Sequence, residues 1–251
     1  MCKQMSVQGL GGTRTDSVRG GVLKISAVIP AHSEMGSVGD VVRCCKRYCD
    51  EVIVIDDGST DETFLISRNA GAIVIRNEVN KGIVESTNIG LRLASGDIIV
   101  TLDADAQHDP SEIPSIVRPI AQDLADLVLG RRNNGRPVSE RIISEIVSLR
   151  VKCDDAGTGF RAFRRELAHR LRLWGYCLCG SLVLEAQRQG ARIVEVPIRI
   201  RPRRLGKSHW ASPLSRGTIH CKQAFLLLCQ LLRRTHSTNV CNKEKTLPKE
   251  S

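Results

Sequence analysis

The chain has 251 residues, 41% of them hydrophobic and 25% charged, and carries a net charge of +10 at pH 7. That length holds one α/β domain with a full core, not two, and the charge calls for an anionic partner: nucleic acid, a phosphorylated small molecule or an acidic membrane surface. Aromatic residues at 3% argue against nucleic acid held by base stacking, and the best apolar run, Ala224 to Cys229, is far below the roughly twenty residues a bilayer-spanning helix needs.

In chain order, residues 1–22 are Gly-rich and aperiodic, without the apolar stretch of a signal peptide, and are expected as a disordered leader. Residues 23–235 are read as a single domain. Short Val/Ile-rich runs closed by Gly, Asp, Asn or Ser predict strands at Ile25–Pro30, Val52–Asp56, Ile73–Arg76 and Ile98–Asp103. Helical patterns lie between them, near 36–48, 60–70 and 83–94. Such alternation means βαβ crossovers and a largely parallel sheet flanked by helices. The second half is less regular: helices near 111–121, 138–150, 164–172, 181–189 and 214–234, with strands at Asp126–Leu129, Phe160–Phe163 and Ala191–Arg201. The Lys-rich residues 236–251 are expected as a frayed tail.

Ten cysteines raise the question of disulfides or zinc. Cys44, Cys45 and Cys49 share a helix, Cys177 and Cys179 are one residue apart, no CxxC pair exists, and no His cluster completes a tetrahedral site. They are read as reduced core residues of a cytoplasmic chain.

In a doubly wound sheet, ligands bind beyond the carboxyl ends of the strands, and acids collect there. The first strand runs into Pro30-Ala31-His32-Ser33-Glu34, the second into Asp56-Asp57-Gly58-Ser59-Thr60-Asp61, the fourth into Asp103-Ala104-Asp105-Ala106-Gln107-His108. Alternation in an extended segment puts Asp103 and Asp105 on one side, so both carboxylates can face one cation, with Gln107 a further oxygen two residues on. Hard oxygen ligands suit Mg²⁺ or Mn²⁺, with diphosphate oxygens completing the shell. The bland alternative is a polar strand end capping the next helix, where Asp109-Pro110 already reads as N-cap and N1.

Together the blocks VIPAHSE (28–34), VIVIDDGSTDET (52–63), NKG (80–82), ASGDIIVTLDADAQHDP (94–110), GTGFRAFRREL (157–167) and IVEVPIRIRPRRLGKS (193–208) resemble the family 2 glycosyltransferases of the polyprenyl-phosphate type, over about residues 24–210. That group includes dolichyl-phosphate mannose and glucose synthases. The resemblance implies a single GT-A domain and transfer of a sugar from a nucleotide-diphosphate donor of the GDP-mannose or UDP-glucose type to polyprenyl or dolichyl phosphate, with inversion and a divalent metal. It implies that Pro30, His32 and Glu34 line the nucleotide pocket, with Lys81 at its border, and that Asp57 holds the base or ribose. Asp103, Asp105 and Gln107 would hold the metal and the donor diphosphate. Arg131 or Arg132, Arg141, Arg203 and Lys207 would meet the acceptor phosphate or the leaving group, and Asp155 would be an acid beside the acceptor.

Three departures bear on the acceptor side and the first loop. Relatives usually carry an acid where this chain has Ser181, residues 130–155 form a shorter stretch than in most relatives, and the asparagine expected after the first strand is Ser33. Hence two alternatives stay open: a saccharide or other hydroxyl acceptor with Asp155 as base, or a nucleotide-sugar-binding protein that has lost turnover. The segment 214–234, with Leu214, Ile219, Cys221, Phe225, Leu228 and Leu232 among Arg216, Lys222, Arg233 and Arg234, reads either as a basic amphipathic helix on an anionic leaflet or as a helix packed on the sheet. Peripheral attachment to the cytosolic face of a membrane, alone or through a membrane partner subunit, is the expectation.

Overall fold

The computed structural model describes residues 22–133, 136–203 and 213–241. The elements follow in the order β1 (Ile25–Ala31), α1 (Val38–Cys45), β2 (Glu51–Asp56), α2 (Thr63–Asn69), β3 (Ile73–Arg76), α3 (Ile83–Leu93), β4 (Ile98–Thr101), α4 (Ile113–Ala121), β5 (Leu127–Arg132), α5 (Val138–Ser148), β6 (Arg161–Arg164), α6 (Arg165–Arg170), α7 (Ser181–Arg188), β7 (Ile193–Ile198) and α8 (Pro213–Cys241). A one-turn 3-10 helix, Pro110–Glu112, leads into α4; Asp109 caps it by accepting from Ser111 N, as Asp-Pro at a helix start predicts.

Seven strands form one sheet in the order β3-β2-β1-β4-β6-β5-β7. All neighbours are parallel except where β6 lies between β4 and β5, antiparallel to both. Period-two alternation divides the strands between two cores. Val28, Ile53, Ile55, Ile99, Leu127 and Leu129 face one layer; Ala27, Ile29, Val52, Val54, Val100 and Val128 face the other. Each fully buried aliphatic side chain contributes about 1.5–3 kcal/mol, well above the spread of strand propensities, so this double-sided pattern decides the architecture.

The reversed β6 is the feature that alternation alone does not announce. Helix α5 is 11 residues long, about 16 Å, and residues 149–160 can retrace that length. The chain thus returns to the carboxyl rim before entering β6. Arg161, at the start of β6, pairs in register with Thr101 of β4 and Leu129 of β5, so the GTGF turn (157–160) and Arg161 stand on the same rim as the acids.

Several strand ends differ from expectation, among them that of β5, which runs to Arg132 rather than Leu129. β4 stops at Thr101 rather than Asp103, and β7 spans Ile193–Ile198 with an isolated bridge from Ile200 to His108 beyond it. No helix among the described residues is long and apolar enough to cross a membrane. Helix α8 buries His220, Gln223, Leu227 and Leu231 and leaves Phe225, Leu228 and Leu232 exposed. It therefore packs against the domain on one face and presents a short apolar stripe on another.

Candidate active site

A cleft of about 780 Å³ runs along the carboxyl rim. One end is lined by Pro30, His32, Glu34, Asp57 and Gly82, the middle by Asp103, Asp105, Gln107 and Arg203, and the far end by Arg132, Glu140, Arg161, Cys177, Cys179 and His220. A second depression of about 500 Å³ lies at the opposite end of the strands, around Lys24, Asp50 and Ser95; it is away from the rim where such sheets bind ligands.

At the first end, the DDGSTD block works mostly as scaffolding. Ser59 N donates to Asp56 Oδ1 at 3.1 Å, Ser33 N to Ser59 Oγ at 2.9 Å, and Glu34 N to Thr63 Oγ1 at 2.8 Å. The Asp57 carboxylate accepts from Asn77 Nδ2 (2.8 Å), Lys81 N (2.9 Å) and Gly82 N (2.8 Å). Burial pushes this acid up, but those donors outweigh it and hold Asp57 below the usual carboxylate range. Asp57 thereby shapes the loop at the pocket edge, and Lys81 enters through its backbone. His32 Nδ1 lies 2.8 Å from Asp57 O.

Ser33 sits at φ +54, a left-handed conformation that asparagine and glycine tolerate better than serine. The asparagine expected from the resemblance suits this backbone. Ser33→Gly is predicted to raise stability by about 0.5–1 kcal/mol, read from the urea midpoint at constant m-value; a fall in stability would show that the serine side chain matters more than its backbone.

In the middle, the two acids reach the rim by a turn rather than by strand alternation. Ala106 has φ +62 and Asp105 Oδ1 accepts from Gln107 N at 3.0 Å, an Asx-type turn. The expected same-side placement holds for a different reason than the extended spacing suggested. His108 is buried against Phe160, with ring centroids 5.4 Å apart. Its Nδ1 lies 3.3 Å from Asp103 N and 3.5 Å from Asp103 Oδ2. Burial lowers its pKa, so His108 positions Asp103 as a neutral ring. Segment 199–203 runs beside the turn: Arg201 N donates to Gln107 O at 2.9 Å, Arg201 pairs with Asp109, and Arg203 pairs with both Asp105 and Glu34. Arg201 and Arg203 thus each meet an acid of the rim.

Asp105 is pushed up to about 6, first by burial and then by the charge of Asp103, which Arg203 only partly offsets. A buried carboxylate raised by the charge of a neighbouring acid marks a site short of positive charge. The hard oxygen donors of the two acids fit Mg²⁺ or Mn²⁺. Gly159 supports the same reading, because a Cβ there would stand 2.5 Å from Asp103 Oδ2. Gly159→Ala should displace that carboxylate and weaken Mn²⁺ affinity about tenfold, measured by calorimetry on the folded variant; unchanged affinity would show that Asp103 is not a ligand.

At the far end, the arginines have distinct surroundings. Arg132 lies between Asp155 and Glu140; its N, Nε and Nη2 all bond the Asp155 carboxylate at 2.8–3.0 Å. Asp155 is fully buried and does not line the cleft. Burial raises it, yet the Arg132 bonds hold it below the usual carboxylate range. It is placed as the support of Arg132 rather than as an acid reaching the acceptor. Arg131 pairs with Asp154. Arg141 is exposed on α5 outside the cleft lining, and Lys207 lies outside the described residues. Ser181 is buried and donates to Cys177 O at 3.1 Å.

Arg161 received no role from sequence although it stands within the GTGFRAFRREL block. It is 1% exposed, lines the cleft, and forms no ion pair within 4 Å among the described residues; its Nε is buried without a partner. The only sequence signal was a cation in an otherwise apolar strand. Its place on the rim depended on the reversal of β6.

A rim of acids on three adjacent parallel strands, a cation-deficient acid pair and a cleft carrying buried arginine define a nucleotide-sugar-dependent glycosyltransferase of GT-A fold. Residues 26–172 match the family model Glycosyl transferase family 2, and the chain belongs to that family. The UDP-N-acetylglucosamine–dolichyl-phosphate N-acetylglucosaminyltransferase of Methanococcus voltae is 30% identical over 212 residues, covering 70% of this chain and 84% of that one. The undecaprenyl-phosphate 4-deoxy-4-formamido-L-arabinose transferase of Salmonella paratyphi B is 27% identical over 208 residues, covering 76% of this chain and 63% of that one. Among solved structures, glucosyl-3-phosphoglycerate synthase of Mycobacterium tuberculosis in complex with Mn²⁺, uridine diphosphate and glucosyl-3-phosphoglycerate superposes with a TM-score of 0.69 at 26% identity, over 83% of this chain and 79% of that one.

Proposed function

We propose that this glycosyltransferase moves a sugar from a nucleoside-diphosphate donor, of the UDP-glucose or GDP-mannose type, to a polyprenyl or dolichyl phosphate. The observation that carries the acceptor reading is Arg161, a buried guanidinium lining the cleft without a carboxylate partner among the described residues. A phosphate entering there supplies the missing counter-charge and two oxygens for the guanidinium fork. The relatives named for dolichyl-phosphate and undecaprenyl-phosphate transfer support the same acceptor class.

In this reading Pro30, His32 and Glu34 bound the nucleotide, and Asp57 and Lys81 hold the loop that edges it. Asp103 and Asp105, with Gln107 beside them, hold a divalent ion together with the donor diphosphate. When bound, the ion supplies Lewis-acid stabilisation of the departing nucleoside diphosphate. Arg203 leaves Asp105 and Glu34 to meet phosphate oxygens, and Lys207 follows it in sequence. An acceptor phosphate oxygen attacks the anomeric carbon, the bond from that carbon to the β-phosphate oxygen breaks, and the configuration inverts. The nucleophile is already anionic at neutral pH, so no proton has to be removed.

A hydroxyl acceptor needs a general base. Asp155, the acid the sequence offers for it, is closed off by Arg132, and Glu140, the acid lining that end of the cleft, is paired with the same guanidinium, which favours the phosphate. The exposed Phe225, Leu228 and Leu232 on α8 support peripheral seating on a membrane that holds the lipid acceptor. The test is transfer of labelled sugar from a panel of nucleotide sugars to polyprenyl phosphate, polyprenyl alcohol and soluble saccharides. Product with the lipid phosphate alone is expected; product with an alcohol acceptor and none with the phosphate would transfer the assignment to a hydroxyl-acceptor enzyme.

A further inference from the structure

The far wall of the cleft gathers three side chains that glycosyl transfer does not use. Cys177 and Cys179 lie in the turn before α7, and His220 lies on α8. One ligand atom from each falls within 4.8 Å of the other two. His220 Nε2 is 3.8 Å from Cys179 Sγ, and His220 Nδ1 is 2.7 Å from Ser139 Oγ on α5. Gly180, at φ +80, and the bond from Ser181 Oγ to Cys177 O at 3.1 Å set the turn that points both thiols the same way. Exposures of 2%, 8% and 4% for Cys177, Cys179 and His220 mark a buried cluster, yet all three line the cleft.

Cysteines read as plain core residues have apolar neighbours on every side. Here an imidazole approaches one thiol, and a hydroxyl fixes that imidazole from behind. Tetrahedral zinc, with Zn–S about 2.3 Å and Zn–N about 2.0–2.1 Å, sets S–S edges near 3.8 Å and S–N edges near 3.6 Å. The cluster needs to contract by no more than about 1 Å to reach those edges. A hydroxyl on the far ring nitrogen is also the kind of outer partner that orients a ligating histidine.

The geometry points to a zinc site: Cys177, Cys179 and His220 bind one Zn²⁺, with the fourth position turned toward the cleft that all three line. Binding exchanges the ion for two thiol protons, giving two thiolates, a neutral imidazole and no net charge from the ion and its ligands. Because uptake releases those protons, it favours higher pH. The ion would tie α8 to the turn before α7 and so fix the wall against which the acceptor lies. This site is separate from the acid pair and takes no part in bond making or breaking.

The test is titration of the full chain, reduced and stripped of metal, with Co²⁺. The expected result is thiolate-to-cobalt charge transfer and tetrahedral d–d absorption saturating at one ion per chain and displaced by Zn²⁺. Cys179→Ser and His220→Ala should each weaken binding about a hundredfold, and Ser139→Ala about tenfold. Asp103→Asn should leave the band unchanged, which separates this ion from the donor-side metal. The wild-type titration decides without the variants: no charge-transfer band in the reduced chain overturns the site. A band that forms in Cys179→Ser with undiminished affinity overturns it equally, by placing the thiolate ligands elsewhere.

Discussion

Asp105→Asn is expected to abolish sugar transfer, by about a thousandfold or more in kcat/KM, while the fold survives. The carboxylate is buried, faces the charge of Asp103 and is held up near 6, so removing its charge relieves repulsion in the resting protein. Stability should therefore hold or rise. The loss falls on the state in which diphosphate charge develops, where a metal stabilises by several kcal/mol, and each 1.4 kcal/mol is tenfold in rate. The amide keeps the hydrogen-bonding shape toward Gln107 N, so a conformational cause is minimised. Wild-type turnover in this variant at saturating Mn²⁺ would remove Asp105 from the metal assignment.

Arg161 gives the second large effect, in which activity and stability should move in opposite directions. Its guanidinium is fully buried, its Nε lacks a partner, and burial lowers its pKa. A buried charge without an ion-pair partner carries a desolvation penalty of several kcal/mol that an apolar side chain of similar length does not. Arg161→Met should therefore keep or raise the midpoint of denaturation. Activity toward the lipid phosphate should fall about a hundredfold or more, because charge-assisted bonds to the phosphate are lost. Nucleoside diphosphate affinity should be unchanged. Arg161→Lys should recover only part of the activity, since an ammonium lacks the planar fork. A variant that loses stability and activity together would make Arg161 a structural residue instead.

The donor half was legible because its signals are local. Each of β1, β2 and β4 is a run of buried aliphatics followed at once by its functional residues, so strand order and rim follow from period-two burial. The mistaken detail there, the strand ending at Thr101 instead of Asp103, comes from Ala106 adopting positive φ, which alanine does not signal. The acceptor half depends on contacts distant in sequence. The role of Asp155 turns on Arg132, 23 residues away. Arg161 reaches the rim only because β6 is reversed. The cysteine–histidine cluster joins residues 41 apart, across α7 and β7, so no spacing rule could find it; the sequence offered no His cluster for these cysteines, and the fold brings His220 to the Cys177/Cys179 pair. Helix α8 follows the packed reading, with Leu227 and Leu231 in the core, while Phe225, Leu228 and Leu232 remain outside.

The role of the Asp103–Asp105 turn shows most directly in how nucleoside diphosphate binds. Calorimetric titration of the chain with UDP and GDP, in Mn²⁺ and in excess chelator, should show binding of one of them that depends on the ion and weakens at least about tenfold in Asp103→Asn. Equal affinity with and without the ion, unaltered by that substitution, would contradict a diphosphate held through metal on the Asp103–Asp105 turn.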